Sequence, residues 1–139
     1  MPALPLVAGG KSFGGRMTSQ AQSATPLAAV RGLAFLGFPL HPPQSPSDTR
    51  AEHLSAVHIP MLFLQGTRDE FAQLQWLQPL LDRLGARATS KLLPDADHSF
   101  HVPARSGRTD AQVRAEMLDV FAAWTESILL TPVTPYFCS

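Results

Sequence analysis

The segment LPLVAGGKSFGGR occupies residues 4–16 and decides the fold. Its first part, residues 4–9, is a short continuous apolar run of the kind found in strands buried on both faces. A glycine-rich turn follows, and residues 16–24 then have the composition of a helix that ends at Thr25-Pro26. A strand, a tight turn and a helix in this order predict the first unit of an α/β fold with a parallel sheet.

Short apolar runs and amphipathic stretches continue to alternate along the rest of the chain. The predicted strands cover residues 4–9, 32–38, 60–65 and 88–93. One helix is predicted over residues 74–84, with Gly85 placed to end it. The last helix follows Thr109, which forms a capping-box pattern with Gln112. The fold class predicted is therefore α/β, with about four parallel strands flanked by helices.

Length, charge and composition exclude several classes of protein. The 139 residues fit one modest domain, predicted over residues 1–130, with a C-terminal tail over residues 131–139. A formal net charge of zero argues against a nucleic-acid partner, since such binding relies on neutralising phosphates. No stretch approaches the roughly 20 apolar residues of a membrane span. The single cysteine, Cys138, permits no internal disulfide, and no secretory signal is visible, so a cytoplasmic location is expected.

Gly10-Lys11-Ser12-Phe13-Gly14 matches the pattern G-x-S-x-G between a predicted strand and a predicted helix. In this setting the serine of a nucleophile elbow is raised above the sheet on a sharp turn. Glycines are expected two residues on either side because side chains there would collide with neighbouring backbone. The N–H group of Phe13, at the start of the helix, is a candidate donor to a developing oxyanion.

An acid and a histidine complete the candidate site. Asp69 follows the third predicted strand and His98 follows the fourth. Loops after the carboxyl ends of parallel strands share one edge of a sheet, so Ser12, Asp69 and His98 are predicted to converge as a triad. Taken singly, Asp69 could be a helix N-cap and His98 an ordinary loop residue, but their order and positions together favour the triad. Asp95 and Asp97 are weaker candidates for the acid and better candidates for turn residues.

Other residues offer fewer functional assignments. The proline-rich connection after the second strand is expected to overhang the site, with weak substrate-pocket candidates at Phe38, Pro39, Leu40 and His41. No pair of histidines shows metal-ligand spacing with a carboxylate, so neither a metal nor a cofactor is predicted. Gly9-Gly10-Lys11-Ser12 is not a phosphate-binding loop, because Pro5 stands where its first glycine is required.

Four segments together resemble the α/β-hydrolase superfamily: residues 9–16, 36–43, 64–69 and 97–100. The resemblance extends from Leu4 to Leu129. It is strongest to the dienelactone-hydrolase-like group, which includes hydrolase-like domains of testis-expressed proteins and of subunits of the NSL histone-acetyltransferase complex. The resemblance implies that Ser12 is the nucleophile, Asp69 the acid and His98 the base.

The chain departs from the family pattern before the elbow. Only eleven residues precede Ser12, which is room for one strand. The resemblance therefore implies a partial fold whose N-terminal strands are missing, together with the loop that supplies the family's second oxyanion donor. The first strand would then lie at an open edge, available for self-association or for a missing half.

Two functions follow from these patterns. The leading hypothesis is a serine hydrolase that acts on a small ester or related acyl substrate. The alternative is a non-catalytic scaffold or interaction domain that keeps the elbow as a relic of the fold.

Overall fold

Four short apolar segments pair side by side in the same direction and form a single parallel sheet. The computed structural model describes residues 4–130, and its strands lie in the order β1-β2-β3-β4. These strands are β1 (Leu6–Lys11), β2 (Val30–Leu36), β3 (Met61–Gly66) and β4 (Ala88–Leu93). The α-helices are α1 (Phe13–Ala24), α2 (Leu74–Leu84) and α3 (Asp110–Leu130), and short 3-10 helices cover Thr49–Ala56, Gly85–Arg87 and Ala104–Ser106. The tail predicted over residues 131–139 lies outside the described residues.

The fold class predicted from the sequence is confirmed, but three of the four strands are shifted along the chain. β4 has its predicted bounds, whereas β1 extends to Lys11, β2 begins at Val30 and β3 lies one residue later than predicted. The parallel ladder pairs Lys11 with Leu36, which continues β1 up to the turn. α1 then begins at once, at Phe13, and not at Arg16 as predicted.

Strand β1 is not buried on both faces, and that prediction is wrong. Each of its residues is half-buried or exposed, and Leu6 is 52% exposed. Two causes are visible. Among residues 4–130, β1 pairs with β2 alone, and α3 packs over β2 and β3. The apolar composition of this strand therefore reflects a sheet edge with a partly uncovered face.

The core has two layers, one on each face of the sheet. Phe35 and Phe63 point to the α2 side, where their ring centroids lie 5.0 Å apart. On the other side, α3 buries one apolar stripe: Val113, Met117, Trp124 and Ile128 are buried, and Val120 and Phe121 are half-buried against them. Trp124 approaches β2 so closely that a Cβ on Gly32 would lie 2.8 Å from its ring. No helix within the described residues is long and apolar enough to cross a membrane.

Helix ends follow the predicted chemistry. The Gln112 N–H donates to Thr109 Oγ1 at 3.1 Å, and the Thr109 N–H donates to Gln112 Oε1 at 2.9 Å, which is a complete capping box before α3. Gly85 ends α2 with φ of 60°, a conformation that favours glycine. Both terminal signals in the sequence are therefore confirmed.

The proline-rich connection contains a 3-10 helix that the sequence analysis missed. Within it, His53 Nε2 lies 2.6 Å from the Oγ of Ser19 on α1. Burial, and then the charge of Arg16, lower the pKa of His53. Because the folded state disfavours the protonated ring, the stability associated with this pair is present above pH 6.5 and is lost as the pH falls below that value.

Candidate active site

Ser12 occupies a strained turn between β1 and α1. Its φ of 52° and ψ of −124° are rare for a residue with a side chain. The Ser12 N–H donates to the Leu36 carbonyl at 2.9 Å, so the β1–β2 ladder holds the turn from one side. α1 begins at the next residue, Phe13, whose N–H is among the first-turn amides that have no acceptor within the helix. The turn therefore places a hydroxyl beside a helix N-terminus.

Close contact between strand and helix backbones depends on Gly10 and Gly15. A Cβ on Gly10 would lie 2.7 Å from the Gly15 nitrogen, and a Cβ on Gly15 would lie 2.6 Å from the Gly10 carbonyl oxygen. A Cβ on Gly14 would meet nothing within 4 Å. The expectation of a collision is thus confirmed for Gly10 and wrong for Gly14, because the helix turns that position towards open space. Gly15, one residue beyond the motif, provides the second close approach.

Substitution of alanine is expected to destabilise the fold at Gly15 but not at Gly14. Gly15→Ala should lower the free energy of unfolding by about 1–3 kcal/mol, since the added methyl group overlaps the Gly10 carbonyl. Gly14→Ala should leave it unchanged or raise it by up to about 1 kcal/mol, because alanine restricts the unfolded chain more than glycine does. Urea denaturation of both variants measures the difference. Equal effects of the two substitutions would contradict this account of the turn.

The structure brings Ser12, His98 and Asp69 into one chain of hydrogen bonds. Ser12 Oγ lies 2.7 Å from His98 Nε2, and His98 Nδ1 lies 2.8 Å from Asp69 Oδ2. An ionised carboxylate only accepts, so Nδ1 carries the proton and Nε2 of the neutral ring is left to accept from the serine hydroxyl. The side chain of His98 is 18% exposed and that of Asp69 is 0% exposed. The geometry suits transfer of the Ser12 proton to the imidazole.

Asp69 is held by a buried polar network. The Phe71 N–H donates to Asp69 Oδ1 at 2.8 Å, and Gln65 Nε2 lies 3.5 Å from Oδ2. Gln65 Oε1 in turn accepts from the Phe38 N–H at 2.6 Å. The simpler N-cap role is not the one observed, since Gln73 holds the N-cap position of α2. The carboxylate is therefore buried with partners on both oxygens.

Asp95 and Asp97 shape the loop that carries His98 and do not contact its ring. Asp97 Oδ1 accepts from the N–H groups of Ser99 at 2.9 Å and His101 at 3.0 Å. The Asp95 N–H donates to Thr67 Oγ1 at 2.8 Å, which ties the loop after β4 to the loop after β3. The turn roles considered for both residues are the ones observed.

Three residues near the triad were not found from the sequence. The Phe71 ring lies against the His98 ring, with 4.4 Å between centroids. A Cβ on Gly37, where φ is 73°, would lie 3.2 Å from the His98 carbonyl oxygen and 3.4 Å from its ring. Gln65 supports Asp69 from within β3. Gln65 could have been noticed in the sequence, because it is a polar residue in an otherwise apolar strand.

The four residues named as weak substrate-pocket candidates are buried within the fold. Phe38, Pro39, Leu40 and His41 are all buried, and Phe38 and Leu40 belong to the core under α2. The His41 ring is used internally: Nδ1 donates to the Pro42 carbonyl at 2.8 Å, and Nε2 accepts from the Gln73 N–H at 3.1 Å. Both ring nitrogens therefore have partners within the loops. These bonds fix the segment that carries Phe71.

An open cavity of about 330 Å³ lies on the α3 side of the sheet. It is lined by Lys11, Leu36, Leu64, Ser99, Phe100, Arg114, Met117, Leu118 and Phe121. Within residues 4–130, no group of three or more histidine, cysteine, aspartate or glutamate side chains is arranged to hold a metal ion.

Comparisons with known proteins agree with this architecture. A similar fold occurs in the esterase domain of a Rhodothermus marinus protein, with a TM-score of 0.66 and 16% identity over 90% of this chain and 62% of that chain. A Thermus thermophilus protein has a TM-score of 0.62 and 23% identity over 93% of this chain and 56% of its own. A Xanthomonas campestris protein described as an a/b serine hydrolase without lid has a TM-score of 0.56 and 21% identity over 94% of this chain and 50% of its own. The chain thus spans roughly half the length of the structures that it matches. A protein-family model described as an alpha/beta hydrolase domain matches residues 1–126, and the chain therefore belongs to that family.

Proposed function

We propose that this chain is a serine hydrolase that transfers the acyl group of a small ester or related substrate to water. The observation that carries the proposal is the hydrogen-bonded series from Ser12 to His98 to Asp69, with distances of 2.7 and 2.8 Å. The fold similarity to the Rhodothermus esterase domain and to the Xanthomonas serine hydrolase supports the same reaction class. The motifs over residues 9–16 and 36–43 lead us to propose the dienelactone-hydrolase-like group as the subgroup. We also propose a cytoplasmic location, since the single cysteine permits no internal disulfide.

In the proposed acylation step, Ser12 Oγ attacks the carbonyl carbon of the substrate while its proton passes to His98 Nε2. Asp69 remains ionised and stabilises the imidazolium that forms. When the tetrahedral intermediate collapses, His98 returns the proton to the leaving group and the acyl group stays on Ser12. A water molecule then attacks the acyl carbon while His98 takes its proton. As the bond between the acyl carbon and Ser12 Oγ breaks and the acid leaves, His98 returns that proton to Ser12 Oγ.

We assign the oxyanion to the N–H group of Phe13. This amide belongs to the first turn of α1, where the helix dipole also favours negative charge. One donor of this kind is typically worth about 10²–10³ in kcat. An enzyme that relies on Phe13 alone is therefore expected to be slower, by about that factor, than one with two donors.

Labelling with a fluorophosphonate probe tests the proposal. Folded protein should form one covalent adduct, and peptide mass mapping should place it on Ser12, because its Oγ contacts His98 on a turn that is only half-buried. Ser19, whose Oγ contacts His53, is fully buried and should not react. Heat-denatured protein serves as the control and should not react. Absence of an adduct on folded protein, or an adduct on another serine, would contradict the proposed nucleophile.

The open edge of β1 favours a second candidate function, that of an interaction module. Among the described residues β1 pairs with β2 alone, Leu4 is 79% exposed and Leu6 is 52% exposed. Such an edge can accept a strand from a second copy or from a chain that completes the sheet. Concentration-dependent association without labelling of Ser12 would favour this function, and a labelled monomer would favour the hydrolase.

A further inference from the structure

The cavity on the α3 side has an apolar wall. Six apolar residues from β2, β3, the loop after β4 and α3 form it: Leu36, Leu64, Phe100, Met117, Leu118 and Phe121. Its volume of about 330 Å³ is near the lower end of the range for small-molecule sites. A wall of this kind suits a short hydrocarbon segment.

The cavity adjoins the triad through chain neighbours and hydrogen bonds. Lys11 directly precedes Ser12, and Ser99 directly follows His98. The Leu36 carbonyl accepts from the Ser12 N–H at 2.9 Å, so the same residue lines the cavity and anchors the elbow. A substrate whose carbonyl carbon lies at Ser12 therefore has the cavity beside it.

Two cations lie in the lining, and no carboxylate does. Lys11 is exposed and, within residues 4–130, takes part in no ion pair. The pKa of the Asp110 carboxyl is lowered mainly by the hydrogen bond from the Val102 N–H and by His101. The charge of Arg114, one helical turn after Asp110, makes a smaller contribution in the same direction. Asp110 already accepts bonds from Val102 and His101, which leaves the Arg114 guanidinium able to bind an anion. The cavity is thus apolar inside and positive in charge.

We propose that this cavity binds an apolar arm of the substrate that ends in an anionic group, either a carboxylate or a phosphate. The apolar wall holds the arm, and Lys11 and Arg114 pair with the anion. The proposal rests on the proposed hydrolase function and adds a substrate class to it: small esters that carry a negative charge a few bonds from the scissile carbonyl.

Two matched pairs of esters test the proposal and show whether the acyl arm or the alcohol arm of the substrate enters the cavity. Mono-4-nitrophenyl glutarate and 4-nitrophenyl butyrate differ by a charge on the acyl arm. 4-Butyryloxybenzoate and phenyl butyrate differ by a charge on the alcohol arm. We expect kcat/KM to favour the anionic ester in one pair, which identifies the arm that enters the cavity. Equal or lower kcat/KM for the anionic ester in both pairs would overturn the proposal.

Substitutions in the lining assign that preference to the cavity. Lys11→Met and Arg114→Gln should each reduce the ratio of anionic to neutral kcat/KM by about 3–10-fold. Leu118→Glu should reduce it further, and this residue is 65% exposed, so the fold should tolerate the change. Arg105→Gln removes an exposed cation outside the lining and should leave the ratio unchanged. A ratio that falls equally in the Arg105 variant, or in none of the lining variants, would refute the role of the cavity.

Binding to an inactive protein separates this proposal from the proposed function. In the Ser12→Ala background, calorimetry should detect binding of monomethyl adipate, and Lys11→Met should weaken it by about 3–10-fold. Failure of fluorophosphonate labelling would contradict the hydrolase, whereas failure of this binding with normal labelling would contradict only the anionic cavity. A dimer that buries Leu118, detected by analytical ultracentrifugation and cross-linking, would also overturn the proposed ligand site.

Discussion

Substitution of Ser12 by alanine is expected to lower kcat for 4-nitrophenyl butyrate by about 10⁶-fold. Alanine has no oxygen to attack the acyl carbon, and His98 then has nothing to activate except water. The fold should survive, because the only side-chain bond lost is the 2.7 Å contact between Ser12 Oγ and His98 Nε2. Steady-state kinetics gives the rate, and circular dichroism with a thermal melt verifies folding.

Ser23→Ala, on the helix that follows Ser12, is a matched control. Ser23 is half-buried, and its Oγ donates to the Gln20 carbonyl at 3.0 Å, so activity should stay within about twofold of the parent. Hydrolysis by the Ser12 variant at more than a hundredth of the parent rate would show that another group attacks the substrate.

The sequence was sufficient to predict the fold class but not where each strand pairs. The apolar runs locate all four strands, and the bounds of β4 are as predicted. Register depends on hydrogen bonds between strands, which composition does not encode, and β1 and β2 accordingly moved by about two residues. Burial of β1 was mispredicted because a continuous apolar run looks the same in a central strand and at an edge.

The site was predictable to the extent that topology determines it. Ser12, Asp69 and His98 each follow a strand, so a parallel sheet alone brings their loops to one edge. The supporting contacts of Phe71 and Gln65 depend on side-chain directions in loops and interiors, for which spacing gives no rule. The burial of His41 was missed for the same reason: it is a loop histidine by sequence, yet it is fully buried and its ring is bonded within the loop.

Replacement of Asp69 by asparagine is expected to lower kcat by about 10⁴-fold with little change in folding. The asparagine oxygen can still accept from the Phe71 N–H, which now bonds to Asp69 Oδ1 at 2.8 Å. Its amide nitrogen would then face His98 Nδ1 and donate to it, which moves the ring proton to Nε2. A protonated Nε2 cannot accept from Ser12, and the negative charge that stabilises the imidazolium is also lost. The rate of fluorophosphonate labelling should fall in parallel with kcat.

Asp97→Asn provides the comparison that identifies the acid. Asp97 Oδ1 accepts from the N–H groups of Ser99 and His101, and an asparagine oxygen can keep both bonds. The activity of this variant should therefore remain within about threefold of the parent, since Asp97 does not contact the imidazole. The reverse pattern, with a large loss at Asp97 and a small one at Asp69, would show that the loop of His98 carries the functional carboxylate. The network of Gln65 and Phe71 around Asp69 would then serve the fold alone, because a buried carboxylate needs those partners whether or not it takes part in catalysis.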